Sequence, residues 1–166
     1  MNFDRLEESY TTTDFGIAFK KGENAKLREQ MNAFIAKIKE NGEYDRLQEK
    51  WFGDTEPTEC ADPSTLMGEN GTLKVGTNNE AKPFGYIKNG RIVGYDVDFL
   101  VAFAKEYGYK LDIEEVAFSS VLAGLQTGIY DLSIAGLSIT EERKETIDFS
   151  DPYHREDMIF VIKGDN

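Results

Sequence analysis

The sequence predicts an α/β lobe: one mixed, mostly parallel sheet with helices on both faces. Three observations carry this. Between residues 72 and 162, short β-type runs alternate with helical stretches at the spacing of strand–helix–strand units. Residues 15–51 offer one strand and two amphipathic helices, too little apolar surface to fold alone, so they need another sheet to pack on. Between them, residues 54–70 carry five acidic side chains, two prolines and no basic residue, the composition of a linker that gains little by packing. The expected organisation is residues 1–53 as a segment completing the lobe, 54–71 as an acidic linker and 72–166 as the larger part, in one compact domain.

Each element has its own warrant. FGIAF, Phe15 to Phe19, reads as a strand stopped by KKG. Asn24 is placed to cap a helix in which Leu27, Met31, Phe34, Ile35 and Ile38 form one apolar stripe, closed by Gly42. A second helix carries Tyr44, Leu47 and Trp51 on one face, with Trp51 as its anchor to the core. LKVGTN, from Leu73, is a strand with Leu73 and Val75 inward. FGYI and RIVGY flank Asn89-Gly90, a two-residue hairpin signal. Asp96 or a neighbour opens a helix carrying Val97, Leu100, Val101 and Ala104, stopped near Gly108. Leu111, Ile113 and Val116 alternate as the next strand, and Ser119 or Ser120 caps a helix with Leu122 and Leu125 that ends at Gly128. YDLSIAG supplies a third strand, Thr140 caps a helical beginning, and IDFSDPY and MIFVIK are extended.

Composition excludes several classes. The net charge of −12 leaves no basic cluster to neutralise a run of phosphates, so nucleic acid is not an expected partner, and an acidic membrane surface is disfavoured. No apolar run reaches the roughly 18 residues of a membrane span. The start MNFDRLEESY lacks the pattern of a signal peptide, so any export signal or anchor is expected outside this chain. One cysteine and one histidine can form neither an internal disulfide nor a structural zinc site, and no metal or cofactor is expected. Cys60 reads as an exposed linker thiol, and His154 as a hinge or surface residue. Asp96 and Asp98 read as helix-start carboxylates, and Asp151 as the turn residue before Pro152.

In open α/β sheets the ligand crevice lies beyond the carboxyl ends of the strands. Those ends are Asn78, the region of Phe118, and Ala135 to Ser138. Arg143 follows one turn into a helix, where its planar fork suits a small carboxylate. Gly136 allows close backbone approach, Ser138 offers a hydroxyl and Phe118 an apolar wall. On composition alone, each of these residues also has an ordinary structural or solvated reading.

LKVGTNNEAKPFGYIKNGRIVGYDVDF, followed by GLQTGIYDLSIAGLSITEERKETIDFSDPY, resembles the opening lobe of the polar amino-acid-type solute-binding proteins of ABC importers. FGIAFKKGENAKLREQMNAFIAKIKENGEYDRLQEKWFG is similar to their final segment, which returns from lobe two to complete lobe one. The resemblance implies a single lobe of a type II periplasmic binding fold with its segments in permuted order, either a slice across tandem modules or a permuted lobe. It places the carboxylate-gripping arginine on Arg143, the ammonium-accepting carbonyl on Gly136, the hydroxyl on Ser138, the aromatic wall on Phe118 and a polar contact on Asn78. It also shows a departure: Ala81 stands where a stacking aromatic is usual, with Phe84 or Tyr86 as substitutes.

The implied function is non-enzymatic capture of a small polar L-amino acid for an ABC permease, in the periplasm or on the outer face of the cytoplasmic membrane, with a signal or lipoprotein anchor outside this chain. Lobe two would supply the other half of the contacts, so the isolated lobe is expected to bind weakly or not at all. A sensor domain ahead of a membrane kinase and a cyclohexadienyl dehydratase-like enzyme are the alternatives. The return segment is expected to complete the lobe within one molecule, giving a monomer, or to pack on a second copy as a domain-swapped dimer.

Overall fold

The central sheet grows from strands whose alternate side chains enter two separate apolar layers. The computed structural model describes residues 3–5, 11–158 and 161–163. The chain opens with β1 (Phe3–Arg5), β2 (Thr11–Phe15) and β3 (Ala18–Lys20). The single strand expected over 15–19 is thus split. Phe15 ends β2, Gly16 donates to the Leu137 carbonyl at 3.0 Å, and Ile17 donates to Ser150 Oγ at 3.0 Å before β3 enters the sheet.

Helix α1 (Ala25–Glu40) buries Leu27, Met31, Phe34, Ile35 and Ile38, the whole predicted stripe. Asn24 stands at its N-cap position but does not cap it. The residue is left-handed and its side chain donates instead to the Asp131 carbonyl at 3.1 Å. Helix α2 (Glu43–Phe52) follows, with Trp51 buried and Tyr44 and Leu47 packed against the same core.

The larger part begins with β4 (Thr72–Thr77), then the hairpin of β5 (Tyr86–Lys88) and β6 (Arg91–Val93). Its turn residues Asn89 and Gly90 both have positive φ, as a two-residue hairpin of this hand requires. Helix α3 (Tyr95–Tyr107) is buried through most of its length. Strand β7 (Lys110–Glu115) leads to α4 (Phe118–Gln126), whose N-cap is Ala117, so Ser119 and Ser120 lie inside its first turn rather than capping it. Then come β8 (Leu132–Ser133), α5 (Glu141–Thr146), β9 (Ile147–Phe149), β10 (His154–Met158) and β11 (Val161–Lys163). Part of the extended MIFVIK run, residues 159 and 160, lies outside the described residues.

The sheet order is β7-β4-β8-β3-β9. Strands β7, β4 and β8 are mutually parallel, and β3 runs antiparallel to both β8 and β9. Strand β3 therefore fills the place between two strands of the larger part. Its period of two serves both faces: Ile17 and Phe19 join the core under α1, α2 and α3, while Ala18 joins Val121, Leu125 and Ile147 under α4. Two antiparallel ribbons, β2–β10 and β1–β11, form separate two-stranded sheets.

The connecting segment is exposed along most of its length but is pinned to the lobe at several points. Leu66 is only 7% exposed, and a short 3₁₀ turn, Pro63–Thr65, is capped by Asp62 accepting from the Ser64 amide at 2.9 Å. The Ala61 amide donates to Asp98 Oδ1 at 2.8 Å, Lys88 Nζ donates to the Pro57 carbonyl at 3.1 Å, and Arg91 pairs with Asp62 at 3.1 Å. Cys60 is half-buried against the core rather than an exposed thiol. Asp98 of α3 thus holds the segment through the Ala61 amide, and Leu66 seats it in the core.

Candidate functional site

Three of the five expected site residues converge at the carboxyl edge of the sheet. Thr140 Oγ1 accepts from the Arg143 amide at 3.1 Å, the cap predicted for α5, and this fixes the arginine one turn in. The Arg143 guanidinium turns back over its own loop: Nη1 donates to the Ser138 carbonyl at 2.9 Å and to Ser138 Oγ at 2.6 Å. Its central carbon lies 5.7 Å from the Phe118 ring centre, a cation–π arrangement. Only Nη1 is engaged by the described residues, so the rest of the fork is open to a planar anion. Phe118 opens α4 and is 40% exposed, which leaves ring surface available as a wall.

Gly136 borders the same loop at a φ of +58°, a conformation in which a Cβ is strained. A Cβ there would also stand 3.3 Å from the Phe84 ring. Asn78 is placed at the β4 end as expected, but both ends of its amide are engaged: Nδ2 donates to the Val116 carbonyl at 3.0 Å and Oδ1 accepts from the Glu80 amide at 2.9 Å. It is 5% exposed and ties the ends of β4 and β7 together. On the same edge, Asn79 Nδ2 donates to Glu115 Oε2 at 2.9 Å, a pair that sequence reasoning did not single out.

Of the two aromatic substitutes for Ala81, Phe84 lies against Gly136, whereas Tyr86 sits away from the site. Phe84 is buried in a cluster with Phe15, Phe52, Tyr95 and His154. Tyr86 lies edge-on to Trp51 under Lys82, its hydroxyl toward Glu56 of the connecting segment.

Several residues have stronger structural roles than their sequence context suggested. His154 is a buried residue, not a surface one: its ring stacks on Phe52 at 4.0 Å, Nδ1 meets Gln48 Oε1 at 2.8 Å and Nε2 meets Glu156 Oε1 at 3.2 Å. Burial pushes its pKa down, with Glu156 opposing. Asp98 is not merely a helix-start carboxylate; it accepts from Trp51 Nε1, Lys50 Nζ and the Ala61 amide. Asp96 is likewise enclosed, accepting from Tyr153 Oη at 2.6 Å, and burial pushes its carboxyl up to about 7, against the pull of Tyr153 and the Gly136 amide. The spacing of GYDVD on an otherwise apolar helix was the available signal, since carboxylates at core positions need partners.

The family described as bacterial extracellular solute-binding proteins, family 3, matches residues 6–54 and 73–166. The chain is 37% identical over 105 residues to the arginine-binding extracellular protein ArtP of Bacillus subtilis (strain 168), covering 62% of this chain and 41% of that protein. It is 38% identical over 103 residues to the probable amino-acid-binding protein YxeM of the same organism, covering 62% and 39%. The matched stretch is therefore about two fifths of these relatives' length. Among solved structures, a variant of the arginine-bound form of domain 1 from TmArgBP is similar at a TM-score of 0.50 and 40% identity, covering 51% of this chain and 67% of that one.

Proposed function

The chain belongs to the bacterial extracellular solute-binding proteins, family 3, and from that premise we propose that it carries the carboxylate-binding half of an extracytoplasmic amino-acid receptor serving an ABC importer. The observation that carries this reading is Arg143 held by Ser138 over Phe118, with most of its fork free at the sheet edge where such clefts form. The α-carboxylate of the ligand would dock on the open guanidinium edge, and its ammonium on the Gly136 carbonyl and Ser138. The role is non-enzymatic, and a second lobe would cover the ligand.

In this reading residues 1–53 complete a lobe begun by 72–166, supported by the seat of β3 between β8 and β9, and the chain does so within one molecule. Glu115 on the same edge favours a cationic ligand side chain, and a relative named for arginine makes L-arginine the first ligand to try, with L-glutamine as the neutral comparison.

The experiment is a titration of the chain with both amino acids, followed by amide NMR. Localised shifts at Gly136, Ser138 and Arg143, abolished in Arg143→Ala with the spectrum otherwise intact, support the reading. Shifts that persist in Arg143→Ala, or that fall away from this edge, would sink it.

A further inference from the structure

Residues 137–139 are bonded to the end of β2, and that pairing decides which way the Ser138 backbone faces. The Gly16 amide donates to the Leu137 carbonyl at 3.0 Å, and the Ile139 amide donates to the Asp14 carbonyl at 2.8 Å. Between these two bonds Phe15 stands opposite Ser138 as an isolated antiparallel bridge. Residues opposed in this way do not bond each other, so their own N–H and C=O groups point outward. The Phe15 carbonyl accordingly turns to the far side of β2 and accepts from the Tyr153 amide at 2.9 Å. The Ser138 carbonyl turns away from β2 and accepts from Arg143 Nη1 at 2.9 Å. The seat of the arginine is thus set by a strand that holds none of the five expected site residues.

That strand is anchored on its other side and beyond its end. It pairs with β10 from Thr11 to Phe15, and Asp14 accepts from Arg155 Nε at 2.6 Å and from Nη2 at 3.1 Å across the ladder. Past Gly16, the Ile17 amide donates to Ser150 Oγ at 3.0 Å, and the Ile17 carbonyl accepts from the Ser150 amide at 2.8 Å. The Phe15 ring lies 5.3 Å from that of Phe84, which in turn lies against Gly136.

Gly16 is where the approach is closest. Its φ lies outside the left-handed region, so backbone geometry does not call for glycine. Space does. A Cβ there would stand 2.9 Å from Ile139 Cδ1, 3.0 Å from Ile139 Cγ1 and 3.0 Å from Phe149 Cδ1. Glycine in extended chain often marks such an approach of another segment. Phe149 belongs to β9 and is paired through Ala18 to β3, so the side chain left to give way is Ile139, next to Ser138.

We propose that Gly16 is a positioning residue for the amino-acid cleft: its amide and its missing side chain together seat residues 137–139 on β2, and so aim the Ser138 carbonyl and hydroxyl that hold Arg143. The return segment then sets the carboxylate site without touching the ligand. This rests on the amino-acid reading above for the ligand, not for the pairing.

The first measurement is amide exchange in the whole, ligand-free chain. The Ile139 amide, spent on Asp14, should be protected together with the amides of β2, and exchange at the rate of an open loop overturns the proposal. Gly16→Ala should then shift the Arg143 Nε–H resonance while leaving the amides of β4 and β7 in place. Adding Ile139→Ala, which removes the two Ile139 atoms in the way, should bring that resonance back toward its wild-type position. Leu66→Ala, a core truncation in the connecting segment, should leave it unmoved. If Gly16→Ala lowers stability as Leu66→Ala does and the Arg143 signal stays, Gly16 only fills space and the proposal fails. Where Gly16→Ala does not fold, the exchange measurement decides by itself.

With L-arginine or L-glutamine as the probe, Gly16→Ala should weaken binding about tenfold and the double variant should recover most of it, whereas Leu66→Ala should bind as wild type. Equal affinity in wild type and Gly16→Ala overturns the role in the cleft. A chain whose Arg143 resonance responds as stated but which binds neither amino acid upholds the seating of Arg143 by β2 and counts against the binding reading instead.

Discussion

Trp51 Nε1 donates to Asp98 Oδ2 at 3.0 Å, joining the last turn of α2 to the first turn of α3. The same carboxylate takes Lys50 Nζ at 2.6 Å and the Ala61 amide at 2.8 Å. One buried anion therefore gathers the return segment, the connecting segment and the larger part of the lobe. Such an anion is tolerable only because its lone pairs are filled.

Removing the anion should expose how much it holds. Asp98→Ala leaves Trp51, Lys50 and the Ala61 amide without their acceptor and is expected to cost about 3–5 kcal/mol. Urea unfolding measures it. A loss under about 1 kcal/mol would mean that the three donors find water at no penalty.

Leu66 tests the connecting segment. A freely solvated linker would not register its truncation, whereas a side chain seated in the core should. Leu66→Ala is expected to destabilise by about 2–3 kcal/mol, at the low end for a buried leucine because its segment is short and can shift. The matching control is Met67→Ala, an exposed neighbour whose truncation should fall within about 0.5 kcal/mol of wild type.

Gly136→Ala should damage both fold and cleft. Its φ of +58° and the 3.3 Å approach of Phe84 together predict a loss of roughly 1–2 kcal/mol, read by thermal unfolding. Ligand-induced shifts at Ser138 should weaken in the same variant, because the displaced loop carries the Arg143 contact.

The pH dependence of stability has two opposing limbs. Asp96 has its folded pKa raised to about 7 by burial, so its contribution is complete below the ordinary 3.8 and is lost as pH rises through about 7. His154 is pushed below its ordinary 6.5, again by burial, so its contribution is present above that value and is lost as pH falls through the lowered one. The two windows overlap, so stability, read by denaturation against pH, should fall as pH rises from about 4 toward 7, with the fall offset where His154 loses its proton. Asp96→Asn should remove the fall, worth at most about 4 kcal/mol, and His154→Gln should make it more even.

Much of the fold was legible locally. The stripe from Leu27 to Ile38, the Asn89-Gly90 turn and the Thr140 cap each depend on neighbours within a few positions, and each stands as its spacing indicates. Of the candidate site, Phe118, Ser138 and Arg143 meet, while the Asn78 side chain is engaged in holding two strand ends. What failed were local readings overridden from a distance. Asn24 gives its amide to Asp131 rather than to its helix, and Phe15 leaves the expected strand to pair with His154.

Neighbouring residues set the periods: the inward stripe of α1, where the hairpin turns, and that one strand and two helices needed a sheet elsewhere. Long-range packing set what the buried carboxylates bond to and where the connecting segment is pinned. Apolar periodicity follows from backbone geometry and is written in consecutive residues, whereas the cost of burying Asp96 or Asp98 depends on donors 37 to 57 positions away that only the folded chain brings near.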